Sequence, residues 1–369
     1  MLAGGGLPHL HCLGELARGP FAGVALTVVS PVASVVYSGM LPGFVAGHYA
    51  LDECVVPIEA LARAAGAAFV EGVVAGVDAG RRQVMLVDGR RLDYELLSIN
   101  VGSIVDTRSI AGADHHAIPV RPLEGFARRW EVLRHELVAR AGAQVVVIGA
   151  GAGGIELALA MKHAFVRSHG IRVDVVSATT ALPGRSGARV ERRLQAAGIG
   201  LRSGVHAVAV DAQSVTLSNG ERMRADATIV ATGSAAPSWI AGSGLAVDSS
   251  GYASVDSTLR VLACEGLFAS GDCASIRGHP QPRSGVHALR MGPVLLENLR
   301  RSVRGAPLAT YAPRQRALHL VSAGDRYAVG SWSGFAFEGR WAWRWKDRID
   351  RAFVARHTPQ RRGYGVIER

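Results

Sequence analysis

Apolar positions in this 369-residue chain fall into one pattern that occurs twice. From Gln144, the residues Val145, Val146, Val147 and Ile148 form an unbroken β-branched run, which predicts a strand buried on both faces of a parallel sheet. The run breaks at Gly149, Gly151 and Gly154 and passes into an apolar helix through Ile155, Leu157 and Ala158. This spacing, G-x-G-x-x-G, is a dinucleotide fingerprint. The first glycine makes the tight turn, the second admits a pyrophosphate to the backbone, the third lets helix approach strand, and the phosphates meet the positive helix end. A second copy opens the chain, where Gly4, Gly5 and Gly6 precede the periodic Leu7, Leu10, Leu13 and Leu16.

The two copies continue alike. After the first, a strand pair turns at Asp88-Gly89 and leads to a strand ending in Asn100-Val101-Gly102; after the second, a pair turns at Asn219-Gly220 and leads to Ala231-Thr232-Gly233. Both steps are 131 residues (220 minus 89, 233 minus 102), whereas the openings differ by 145 (149 minus 4). The first copy therefore carries about 14 extra residues, most economically within Tyr37 to Tyr49. The pattern predicts an internal duplication, two α/β nucleotide-binding units in one chain. Some positions depart from it. Only Met1 to Ala3 precede Gly4, short of the roughly five residues of a sheet strand, which predicts a misassigned or trimmed start. His9 replaces the third glycine of the first fingerprint, so its helix must sit farther from the strand, with His9 as a packing residue. Ser30 and Ser177 end the strands where an acid ordinarily holds the ribose hydroxyls; Ser177, with Arg185 nearby, leaves both NADH and NADPH open.

Composition narrows the class. Hydrophobic residues make up 49% and charged residues 19%, enough for two buried cores and a tail. The run from Val145 to Met161 is broken by glycines and Glu156, which argues against a transmembrane helix, and the start lacks a basic leader. Cys12, Cys54, Cys264 and Cys273 form no C-x-x-C pair, so a cytoplasmic protein without structural metal is expected. The net charge is +11; nine Lys/Arg against three acids between Arg340 and Arg369 contribute +6 of it. No base-stacking motif accompanies the charge, and nucleic-acid binding is not expected.

The segment Glu265 to Ala274, EGLFASGDCA, resembles the second flavin motif of the pyridine nucleotide-disulfide oxidoreductases. Within them the chain resembles the type II NADH dehydrogenase branch, and more closely the flavoprotein module found fused to selenide, water dikinase. With that module it shares YSGMLPGFVAGHY, PVRPLEGF, GDRYAVGS and FEGRWAWRWKDRIDR, and the likeness covers roughly Gly4 to Phe353. The resemblance implies two Rossmann-like domains with three-stranded β-meander insertions and a C-terminal α/β segment. The FAD domain takes residues 1–120 and 241–304, the NAD(P)H domain 121–240, and the tail 305–369. It implies FAD at Gly4, Gly6, Ser30, Gly102, Gly271 and Asp272, the Asp holding ribityl and phosphate, with Gly285 and Val286 starting a helix that faces the flavin pyrimidine. NADH or NADPH would lie at Gly149, Gly151, Gly154, Ser177 and Gly233, and Glu156 beside the nicotinamide and flavin; an ordinary solvated helix glutamate is the competing reading.

The implied activity is an FAD-dependent NAD(P)H oxidoreductase passing hydride from nicotinamide C4 to flavin N5 and on to an unidentified acceptor, a quinone or another small electron acceptor. Relatives place a redox cysteine where this chain has Ser38, and serine cannot cycle as a thiol, so no cysteine relay is expected. Type II NADH dehydrogenases place quinone-contacting glutamines where this chain has Val286 and Arg290, which argues against quinone. His287 reads as a proton carrier or a structural helix histidine. The alternative is a low-turnover flavin-binding sensor or partner protein linked to selenium metabolism. In the tail, Trp341, Trp345, Ile349 and Phe353 recur every four residues beside Arg340 and Arg344, and this stripe is expected to pack on the FAD domain or on a second copy in a homodimer. At most peripheral contact with the inner face of a membrane would accompany it.

Overall fold

The computed structural model describes residues 1–166, 170–179, 184–279, 282–313 and 317–359. Each copy of the sequence pattern forms a five-stranded parallel sheet. The first runs in the order Leu267–Ala269, Leu97–Ile99, Leu2–Ala3, Thr27–Ser30, Ala68–Glu71. The second runs Ala117–Pro119, Ala227–Val230, Gln144–Ile148, Arg172–Ser177, Gly200–Ser203. In both, the strand entering the glycine turn is central. All five residues of Gln144–Ile148 are buried, as the β-branched run requires. Each sheet is interrupted in the chain by a three-stranded antiparallel meander, Val74–Asp78, Gln83–Leu86, Arg91–Asp93 before Leu97–Ile99 and Ala207–Val210, Ser214–Leu217, Arg222–Arg224 before Ala227–Val230. Gly89 and Gly220 close the corresponding hairpins with φ of +87° and +86°.

The copies differ in where the edge strand comes from. The first sheet takes Leu267–Ala269 from beyond the second unit, and the second takes Ala117–Pro119 from before its own fingerprint. That strand lies just upstream of residue 121, where the resemblance puts the second unit's start, and precedes the helix Leu123–Val138. Between the units, Ile104–Val105 pairs antiparallel with Ser234–Ala235, so the chain enters and leaves the second unit side by side.

The extra residues of the first copy join the two units. Met40, Leu41, Phe44 and Val45 are buried in one core with Phe126, Trp130, Leu157 and Ala158 of the second unit. After the helix Gly285–Val303, the tail forms an antiparallel sheet, His319–Ser322, Ala328–Trp332 and Phe335–Gly339, and the helix Arg340–His357. In this helix the aromatic stripe is not covered by the FAD domain within the chain. Trp341, Trp345 and Ile349 are 54%, 39% and 41% exposed, and of the four only Phe353 packs inward, stacked on Tyr37 at 4.4 Å. The buried face instead carries Ala342, Lys346, Asp350 and His357, because a Lys346–Asp350 ion pair of 2.7 Å lets two charges enter the contact. The basic residues beyond Gln360 lie outside the described residues. Among the described residues no helix is long and apolar enough to cross a membrane, and no His/Cys/Asp/Glu group could hold a metal ion.

Candidate functional site

The first glycine turn is closed by Asn100. Gly4 has φ +105°, and a Cβ there would overlap the Asn100 carbonyl; the Gly4 and Gly6 amides donate to Val29 and Asn100 carbonyls at 2.8 and 3.2 Å. The Asn100 amide donates to the Ser270 carbonyl at 2.6 Å, while its Oδ1 and the Ser270 hydroxyl are buried without partners. His9 fills the place of the third glycine. Its Nδ1 lies 2.7 Å from the Gly4 carbonyl, an acceptor, so Nδ1 carries the proton and Nε2 accepts from the Ser98 hydroxyl at 2.8 Å. Burial depresses the His9 pKa to about 4, and the ring stays neutral as a packing residue.

Around this turn, Gly102 (φ +74°) faces open space, and Gly271 (φ +70°) abuts the Asn100 amide. The Asp272 carboxylate accepts from Arg121 Nη1 at 2.9 Å, and Arg121 also binds Ser103. Gly285 and Val286 begin the helix Gly285–Val303, where the Ser284 hydroxyl and His287 Nδ1 are buried without partners. Ser30 does not join this surface. It is fully buried and its hydroxyl donates to the Val32 carbonyl at 2.9 Å, which holds the following loop. The orphaned groups of Asn100, Ser270, Ser284 and His287 surround the glycine turn and the helix start, so the residues present fit FAD.

The second turn is tight on one side and open on the other. Gly149 has φ +116°, and a Cβ there would overlap the Ala231 carbonyl, while one at Gly154 would overlap the Gly149 carbonyl. A Cβ at Gly151 or Gly153 would meet nothing within 4 Å. They border a cavity of about 510 Å³ that brings together Gly149, Gly151, Gly154, Ser177 and Gly233 of the second unit with Ser38, Pro42 and Arg121. Thr232 Oγ1 is a further buried orphan beside Gly233. The five second-unit positions singled out from sequence therefore share one wall.

Glu156 lines the same cavity, half-buried, and its Oε1 accepts from the Ser322 amide at 2.7 Å. Burial raises its pKa to about 7, against the pull of Lys346 and the Ser322 bond. Behind it, Lys346 donates to the Gly39 carbonyl at 2.5 Å and to Asp350 at 2.7 Å. Burial works against the Lys346 charge, but Asp350 and then Glu156 more than offset this and raise its pKa. Ser38 lies in the cavity wall. Burial pushes Cys12 and Cys54 to about 12 and Cys273 to about 11, and raises Cys264. Sequence reasoning did not single out Asn100, Arg121 or Lys346. Arg121 stands inside the shared block PVRPLEGF and Lys346 inside FEGRWAWRWKDRIDR, so membership of a shared block was a signal for both; what it did not tell was their partners, Asp272 and Asp350.

A model of the pyridine nucleotide-disulphide oxidoreductase family matches residues 2–292. An NADH dehydrogenase-like protein of Mycobacterium tuberculosis is 32% identical over 298 residues, 76% of this chain and 74% of that protein. Two solved structures share the fold. The sulfide:quinone oxidoreductase from Aquifex aeolicus has a TM-score of 0.82 at 18% identity, covering 97% of this chain and 92% of its own. The NDH2 from Plasmodium falciparum in complex with NADH has a TM-score of 0.79 at 14% identity, covering 96% of each chain. The chain belongs to the pyridine nucleotide-disulphide oxidoreductases, and its cofactors are FAD and NAD(P)H.

Proposed function

We propose that this protein takes hydride from NADH or NADPH onto FAD and delivers the electrons to a small acceptor without a thiol relay. One observation carries the reading: a single cavity joins the Gly149–Gly154 turn to Ser38, Arg121 and Glu156, so nicotinamide and flavin can meet in it. When bound, FAD supplies the two-electron acceptor for the nicotinamide hydride. Gly149, Gly151, Gly154, Ser177 and Gly233 hold the nicotinamide nucleotide. Gly4, Gly6, Gly102, Gly271, Asp272, Gly285 and Val286 hold the flavin, with Arg121 fixing the Asp272 carboxylate. Glu156 lines the cavity in which the two rings would meet. Its pKa of about 7 places it where it both holds and releases a proton at neutral pH, and Ser322 fixes its orientation.

Ser38, together with four thiols of raised pKa, supports a direct route from flavin to acceptor. Val286 and Arg290 offer no side-chain amide of the kind expected for quinone, which favours another small acceptor. Trp332, Phe335, Trp341 and Trp345 are exposed beside Arg340 and Arg344, which supports peripheral contact with an anionic membrane surface. Co-sedimentation with anionic vesicles that weakens with salt is the expected behaviour.

Anaerobic mixing of the FAD-loaded protein with NADH and with NADPH tests the central reading. Bleaching of the flavin by at least one nucleotide is expected, and it should survive replacement of all four cysteines by Ala or Ser. A loaded flavin that neither nucleotide reduces would overturn it.

A further inference from the structure

Glu156 is the only carboxylate among the cavity's described lining residues, which also include the cations Arg121 and Arg283. Val176, Ser177, Ala178, Thr179 and His206 also line it, and Ser177 ends the strand that pairs with Gln144–Ile148. A dinucleotide bound across the Gly149–Gly154 turn would put its adenosine ribose there, because the ribose lies beyond the end of the next strand.

Three backbone contacts and one to a side chain fix the surroundings of that strand end. The strand Arg172–Ser177 pairs with Gly200–Ser203 so that Ser177 lies opposite Ser203. Two residues on, the Val205 amide donates to the Ser177 carbonyl at 3.3 Å, which brings the start of the meander against the strand end. His206 follows at once, and its backbone is held by Ser218: the His206 amide donates to the Ser218 hydroxyl at 3.2 Å, and the Ser218 amide to the His206 carbonyl at 2.8 Å. The imidazole is exposed at the cavity edge. The nearby Arg202 guanidinium is taken up by Glu221 at 3.4 Å. On the strand side, the Ser177 oxygen accepts from the Thr179 amide at 3.3 Å, so its hydroxyl proton is directed elsewhere.

A carboxylate at the strand end selects NADH in two ways: it accepts from both ribose hydroxyls and it repels a 2′-phosphate. Here neither applies. Two groups able to donate hydrogen bonds, the Ser177 hydroxyl and the His206 imidazole, flank the position instead, and a dianionic phosphate is the better partner for them. Resting on the reading of this cavity as the nicotinamide nucleotide site, we propose that it recognises the 2′-phosphate of NADPH through His206 and Ser177, making NADPH the preferred electron donor.

Titration calorimetry of the FAD-loaded protein with NADP⁺ and NAD⁺ tests this without turnover, alongside kcat/KM for NADPH and NADH. The wild type is expected to bind NADP⁺ about tenfold or more tightly than NAD⁺, a difference of about 1.4 kcal/mol. His206→Ala should lose most of that margin by weakening NADP⁺ alone, and Ser177→Glu should reverse it while leaving the FAD content and melting temperature near wild type. Equal or tighter binding of NAD⁺ by the wild type would overturn the proposal, as would an equal loss for both nucleotides in His206→Ala. Failure of both nucleotides to bind the wild type would instead overturn the assignment of the cavity itself, so the two failures are distinguishable.

Discussion

The two glycine turns share a topology but not an environment. In the first unit, Gly4 and Gly6 both press on Asn100, one against its carbonyl and the other against its side chain, and the helix behind is braced by His9. In the second, Gly149 and Gly154 are equally confined, yet Gly151 between them faces empty space. The outer positions of the turn are thus crowded in both, while the middle glycine is crowded in one and open in the other. On the proposed assignment the difference matches the two ligands: a flavin resides through many turnovers, whereas a nicotinamide nucleotide must enter and leave through an open wall.

The comparison breaks most forcefully at the crowded glycines. Gly154→Ala puts a methyl into the Gly149 carbonyl, and Gly4→Ala puts one into the Asn100 carbonyl at φ +105°. Backbone on both sides leaves no room to relax, so each substitution should destabilise its unit by about 3 kcal/mol or more. Urea unfolding measures this. Wild-type midpoints for both variants would show that the turns are looser than their geometry requires.

Next in size is Glu156→Gln, which touches the shared wall rather than a turn. General acid–base groups contribute roughly 100-fold or more, so turnover with an acceptor should fall by about that factor. The pH dependence of stability provides a second reading. A carboxyl whose folded pKa is raised from 4.5 to about 7 favours folding in its protonated form, so its contribution is complete below 4.5 and lost as pH rises through 7. Glutamine cannot ionise, and the melting temperature of the variant should therefore decline less than that of the wild type between pH 5 and 8.

Much of this was legible because each unit is periodic at the level of single residues. The run Val145 to Ile148 could only be a buried strand, and the 131-residue offset could only be a repeat, so the sheets and both turns were readable before any coordinate. Contacts that depend on distant partners were not. Ser30 occupies the right strand end, but only the loop geometry shows its hydroxyl turned to Val32. In the tail only the aromatic stripe was legible, because Lys346 and Asp350 look solvated until Lys346 bonds both Asp350 and the Gly39 carbonyl inside the contact. Asn100 was legible only as the end of a repeated strand; that Gly4, Gly6 and Gly271 all close on it depends on segments far away in the chain.

His9→Ala sharpens the comparison by removing the brace peculiar to the first turn. The ring is buried, neutral and bonded at both nitrogens, so its loss leaves the Gly4 carbonyl and the Ser98 hydroxyl without their partner and opens a cavity. A cost of about 2 kcal/mol is expected, together with weaker FAD retention on dilution. A change below about 0.5 kcal/mol would mean that the first turn stands without it.

The smallest effect separates building a turn from using it. Gly151 has neither a positive φ nor a neighbour within 4 Å of an added Cβ, so Gly151→Ala should fold, melt and bind FAD like the wild type. The same methyl points into the cavity where a pyrophosphate must reach the backbone amides, and the nucleotide then has to stand off from the helix start. Weakening of nicotinamide nucleotide binding by about tenfold, roughly 1.4 kcal/mol, is expected from calorimetry on the FAD-loaded variant. Unchanged affinity would place the pyrophosphate away from Gly151 and remove the functional meaning of the open turn. A lowered melting temperature would instead make Gly151 one more structural glycine, and the two turns would then differ only in the identity of their braces.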